Sequence, residues 1–163
     1  MINYNDLDKY IRENYYEEPL SEGAVFIDDF MCKKDAFYAY EEEKEDLIIE
    51  LDESFSDTVL KLIDEKGLKD SDVYNSINMD RRLFSKMRNN GYTPSKQTAL
   101  SLCIALKLDL EQSNDLLRKA GYALSHSSMA DVIVEYFIKN KIYDIYAIDE
   151  ALLHYDQKPL GRY

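Results

Sequence analysis

Residues 76–91 read S-I-N-M-D-R-R-L-F-S-K-M-R-N-N-G, and the fold follows from how this stretch divides. Its first residues close one helix, a tight turn passes through Asn78 and Met79, and a short second helix follows Asp80. Aspartate is a good N-cap there, because its side-chain oxygen accepts from the unsatisfied N–H groups of the next turn. Leu83, Phe84 and Met87 recur at helical spacing and make an apolar stripe. Arg81, Arg82, Ser85, Lys86 and Asn89 fall on the other side, and Gly91 is expected to end the element. A short basic helix entered through a capped turn is what a helix-turn-helix offers to a nucleic acid.

The neighbouring segments supply the support such a unit needs. Upstream, Phe55, Val59, Leu62 and Ile63 line one face of a helix that starts after Ser54 and closes at Gly67, with Lys66 in its last turn. The run D-S-D-V-Y-N-S-I predicts a second helix, with Asp70 as N-cap and Val73 and Ile77 facing inward. Downstream, G-Y-T-P-S-K is a loop, and Thr93 or Ser95 caps a helix carrying Ala99, Leu100, Cys103, Ile104 and Leu106. A helix apolar over more than half its circumference belongs in the middle of a bundle. Asp109 caps a fifth helix from Leu110 to Ala120, where Leu116 and Leu117 point inward and Gly121 stops it. No run in this part has strand alternation.

These residues resemble the lambda-repressor-like (XRE) helix-turn-helix family over roughly residues 55–122. Met79 stands at that family's buried apolar position after the turn, and Asp80 at its capping Ser. Phe84 and Met87 stand at the inward positions of the recognition helix, and Gly91 near the closing glycine. The run from Ala99 to Tyr122, A-L-S-L-C-I-A-L-K-L-D-L-E-Q-S-N-D-L-L-R-K-A-G-Y, is similar to the family's fourth and fifth helices. The chain from Glu53 onward also resembles helical modules at the C-termini of multidomain bacterial proteins, some of which begin with a macro domain. The resemblance implies an all-α five-helix bundle in a bacterial regulator or modular adaptor.

Three positions depart from the family pattern. Tyr74 replaces a small residue where the second helix crosses the third, so the crossing widens or the ring swings outward. Asn78 replaces the turn glycine, a mild change, since Asn tolerates a left-handed backbone. Asp70 falls where a phosphate-contacting Gln is common, with Asp72 close by, and two carboxylates facing a phosphate backbone oppose docking.

The flanks divide the chain into residues 1–52, an acidic and partly helical appendage; 53–124, the helix-turn-helix domain; and 125–163, a helical extension packed on it. Leu7, Tyr10, Ile11 and Tyr15 predict a first helix that Pro19 ends. The later run K-K-D-A-F-Y-A-Y-E-E-E-K-E-D is ambiguous between helix and linker. At the other end, Ser128 with Asp131 resembles a capping box, and Val132, Ile133, Tyr136 and Phe137 form an apolar face. Ile145, Ile148, Leu152 and Tyr155 predict a last helix, followed by a short irregular tail. Tyr136, Tyr143, Tyr146 and Tyr155 serve either internal packing or a dimer or partner surface.

Charge sharpens the functional expectation. The net charge is −12, but residues 1–52 hold 5 Lys/Arg against 16 Asp/Glu, whereas the rest is nearly balanced. Between Arg81 and Lys107 the chain carries Arg81, Arg82, Lys86, Arg88, Lys96 and Lys107 and no acid. A nucleic-acid contact is therefore expected there, through Arg81, Arg82, Ser85, Lys86, Arg88, Asn89 and Lys96. The acidic front suggests autoinhibition, by sitting over that island in competition with nucleic acid. Half-site pairing on DNA implies a homodimer, formed through the C-terminal helices. The alternative is a non-catalytic protein-interaction adaptor that keeps the scaffold without binding DNA, its partner a protein.

Other classes find little support. His126 and His154 have no nucleophile or ligand spacing around them, and no glycine loop cradles a phosphate, so neither enzyme, metal nor cofactor is expected. Cys32 and Cys103 are isolated, which suits a reducing, cytoplasmic setting. No apolar run approaches the ~20 residues of a membrane span.

Overall fold

Ser54, Asp80, Ser95, Asp109, Ser128 and Asp144 each turn a side-chain oxygen onto a backbone N–H of the turn that follows, and a helix starts after each of them. At Asp109 the cap is reciprocal, with Gln112 reaching back to close a capping box. The computed structural model describes residues 3–16, 53–89 and 91–161. Among them are the helices α1 (Tyr4–Asn14), α2 (Phe55–Glu65), α3 (Asp70–Ser76), α4 (Arg81–Met87), α5 (Lys96–Ala105), α6 (Leu110–Lys119), α7 (Met129–Lys139) and α8 (Ile145–His154), and no strand.

The stops are as local as the starts. Gly67 follows α2 at φ +61°, where a side chain would be strained. Asn78 takes the same left-handed region at φ +51° in the turn between α3 and α4, as its tolerance for that backbone suggested. Gly91 does not end α4. The helix finishes at Met87, and the Arg88 N–H bonds back to the Ser85 and Lys86 carbonyls.

Two helices lie at the middle of the packing. α5 is buried from Thr98 through Ile104, and it meets α3 and α6, while α2 packs on α6. This is the central position its composition predicted. α7 is buried on every side from Asp131 through Ile138, not on the single face expected, because α1, α6 and α8 all pack against it.

α1 therefore does not belong with an appendage. Leu7 and Ile11 are 0% and 7% exposed within the common core, and α1 shares one compact unit with α2–α8. Its amphipathic stripe needs an apolar partner, and α7 is that partner. Residues 17–52, with the acidic run Glu41–Asp46 and its expected docking on the basic residues, lie outside the described residues.

Buried polar groups fix how these helices meet. Glu135 on α7 is 5% exposed. Its carboxylate accepts from Tyr10 Oη at 2.8 Å and Lys139 Nζ at 2.6 Å, and lies 2.8 Å from His126 Nε2. The Tyr16 N–H donates to the His126 carbonyl at 2.9 Å, so the end of α1 is held as well. At the other end of α1, the Tyr155 hydroxyl donates to Asp8, and the Tyr4 and His154 rings lie 4.9 Å apart. Asp149 on α8, 1% exposed, accepts from the Leu160 N–H at 2.6 Å and the Gly161 N–H at 3.0 Å. The tail expected to be merely irregular is thus clamped, with Leu160 7% exposed.

Three of the four C-terminal tyrosines serve internal packing. Tyr136 packs between Tyr10 and Phe137, Tyr143 donates to the Leu108 carbonyl at 2.9 Å, and Tyr155 reaches Asp8. Tyr146 is 61% exposed.

Two outcomes follow from this packing. Leu7→Ala is expected to destabilise the protein by about 2–5 kcal/mol in urea denaturation, as a core deletion does and as a solvated appendage would not. The second concerns Glu135. Burial alone pushes its carboxyl up, but hydrogen bonds from Lys139, Tyr10 and His126, with the Lys139 charge, outweigh burial and hold it below the ordinary 4.5. A depressed folded value stabilises the protein above the unfolded carboxyl's pKa, and that stabilisation is lost as pH falls through the folded value. Denaturation repeated from neutral pH downward should show a steeper acid loss in the natural protein than in Glu135→Gln.

Candidate nucleic-acid interface

α4 is anchored by one face. Phe84 and Met87 are 3% and 1% exposed, Leu83 is half-buried, and Met79 in the preceding turn is 9% exposed. Asp80 fixes the start of the helix by accepting the Arg82 N–H at 2.6 Å. A helix of seven residues held along this stripe must turn its remaining side chains to solvent. Arg81, Arg82, Ser85 and Lys86 are exposed, as are Arg88 and Asn89 just beyond the last turn.

Arg81, Arg82 and Lys86 have no ion-pair partner among the described residues. Two of them stand against the helix's own field. Arg81 and Arg82 occupy the first turn, the positive end of the dipole, where a cation costs a few tenths of a kcal/mol. The helix dipole therefore does not explain their placement.

The other two predicted cations are engaged. The Arg88 guanidinium holds Asp70 on α3, in a pair whose side chains are 51% and 35% exposed. Asp70 is thus not the N-cap of α3. Lys69 occupies that position without a side-chain cap bond, and the Asp70 carboxylate turns to the stronger charged donor. Lys96 Nζ engages Asp131 on α7, which is 3% exposed and also accepts the Ser125 N–H at 2.9 Å. Lys96 joins α5 to α7. It does not line the groove between α3 and α4.

A groove of about 620 Å³ opens between α3 and α4. Lys69, Asp70 and Tyr74 line it from one side, and Arg81, Phe84, Ser85 and Arg88 from the other. Arg82 and Lys86 do not line it, so α4 presents cations in two directions. Tyr74 lines this groove. Its half-buried ring lies against Phe84, with centroids 5.7 Å apart and planes at 56°. The reading of basic residues alone missed Lys69 and Tyr74 as groove residues. The signal was there in Tyr74, a large ring beside a helix that carries Phe84.

Elsewhere, Cys103 is buried, and burial pushes its thiol up to about 12, which keeps it protonated and unreactive. Among the described residues no three His, Cys, Asp or Glu side chains converge as a metal site, and no helix is long and apolar enough to cross a membrane. No family model, curated protein or solved structure matches the chain significantly.

The division of the cations predicts unequal costs. Lys96→Ala leaves a buried carboxylate without its charged partner and should lower stability by about 1.5–3 kcal/mol in thermal or urea denaturation. Arg81→Ala and Arg82→Ala should leave the unfolding midpoint unchanged or slightly raised.

Proposed function

We propose that the protein is a helix-turn-helix nucleic-acid-binding regulator that contacts duplex DNA through α4. The observation that carries this reading is the exposed, unpaired Arg81, Arg82 and Lys86 on a seven-residue helix otherwise committed to the core. The packing supports it. α3, the turn from Ile77 to Asp80 and α4 follow one another beside α2, α5 and α6, the order that the resemblance to the lambda-repressor-like family implies.

In this reading α4 enters the major groove. Arg82 and Asn89 face base edges, where arginine pairs with guanine and asparagine with adenine. Lys86 lies along the phosphates and positions the helix without reading sequence. Asp70 opposes docking less than its charge implies, because Arg88 already engages it. Lys96 has no part, since its ammonium is held by Asp131.

Fluorescence anisotropy of the full chain on random duplex DNA, across a salt series, tests the proposal. Binding should weaken steeply with salt. In Arg82→Ala/Lys86→Ala the slope of log affinity against log salt should fall by about 0.9 for each phosphate that the variant no longer neutralises. Absence of binding at low salt, or binding indifferent to both substitutions, would reject it.

A further inference from the structure

We propose that the groove between α3 and α4 holds one unpaired nucleotide of the bound strand, its base against Tyr74 and its phosphate on Lys69 and Arg81. The assignment rests on the reading of α4 as a nucleic-acid contact and extends it, giving the target a single-stranded element beside the duplex.

Space, surface and charge agree on this occupant. The groove's volume of about 620 Å³ falls within the range of clefts that hold small organic ligands. Its wall is aromatic. Tyr74 is backed by Phe84, which is 3% exposed, so the phenol ring is held in place while part of it remains open. The Tyr74 hydroxyl has no hydrogen-bond partner among the described residues. A held ring of this kind stacks on a base of any identity, since every base has a π-face. A paired base is covered by its neighbours in the duplex, so the base that reaches Tyr74 is an unpaired one.

Charge completes the match. Lys69, Arg81 and Arg88 face the groove against the single carboxylate of Asp70. Arg88 and Asp70 answer each other, which leaves Lys69 and Arg81 for a phosphate, with the Ser85 hydroxyl beside them. A neutral aromatic ligand would use the ring and leave both cations idle. Inorganic phosphate would use the cations and ignore the ring. A nucleotide uses both.

The test compares a blunt duplex with the same duplex bearing a short oligothymidine tail, each titrated with the full chain by anisotropy. The tailed duplex should bind about tenfold more tightly, the contribution of one stacked base. Tyr74→Phe should keep that preference. Tyr74→Leu, which retains an apolar contact with Phe84, should lose it while still binding the blunt duplex. Lys69→Ala, at an exposed position, should weaken the preference without disturbing the core. Equal binding of tailed and blunt duplex, both abolished in Arg82→Ala/Lys86→Ala, would leave the α4 reading standing and overturn the groove assignment. A tail preference unmoved by Tyr74→Leu and Lys69→Ala would overturn it too. Competition by thymidine monophosphate at the concentration of the strand would place a free nucleotide there, and the assignment would again fall. Binding of neither duplex would remove both readings together.

Discussion

A carboxylate as far from water as that of Glu135 persists only if its charge and lone pairs are answered, and the arrangement of α1 on α7 depends on how they are. Lys139 answers from one turn further along α7, Tyr10 from α1, and His126 from the loop that precedes α7. Apolar contact between Leu7, Ile11 and α7 is not directional and would tolerate rotation or a shift by one turn. The hydrogen bonds do not, because their donors sit at fixed points on three segments. Removing one partner leaves a buried polar group unsatisfied, a larger penalty than the bond's own net worth.

The same arrangement recurs twice in the C-terminal third. Asp131 gathers Lys96 from α5 and a backbone N–H from Ser125, and Asp149 gathers two N–H groups of the tail. Three buried acids on α7 and α8 thus fasten α1, α5 and the chain's last described residues. Of the six cations between Arg81 and Lys107, Arg88 and Lys96 are drawn into ion pairs, while Arg81, Arg82, Lys86 and Lys107 are not. α4 thus carries three cations that no acid answers, on a helix held in place by Phe84 and Met87.

Local signals were well preserved in the chain. Asp80, Ser95 and Asp109 cap the helices they were expected to cap, Asn78 takes the left-handed turn, and α5 is buried where its composition placed it. Each of these depends on neighbours within a few residues. What escaped depends on distance along the chain. Nothing near Leu7 indicates that α7 will cover it, and nothing near Lys96 indicates Asp131. Asp70 was misread because a local cap and a distant arginine compete for one carboxylate, and the charged donor prevails. One clue was available for α7, since Glu135 interrupts the apolar run V-I-V-E-Y-F-I, and an acid there must meet partners from elsewhere. The candidate interface was legible as a basic stripe, but its division into outward, paired and structural cations was not.

The fastening of α1 has a bearing on how the chain folds as it is made. Tyr10 and its acceptor Glu135 are 125 residues apart, and Tyr155 and Asp8 are 147 apart. At the usual 5–20 residues per second, α1 waits roughly 6–30 s on the ribosome before its binding surface exists. α2 to α6 meet partners much nearer in sequence and can assemble first. Throughout that interval Leu7 and Ile11 remain an exposed apolar stripe on a nascent segment, available to a chaperone or to the α7 of a neighbouring chain. Docking of the first helix can then follow only once α7 is made, and exchange of that helix between two chains is a misassembly open to this architecture.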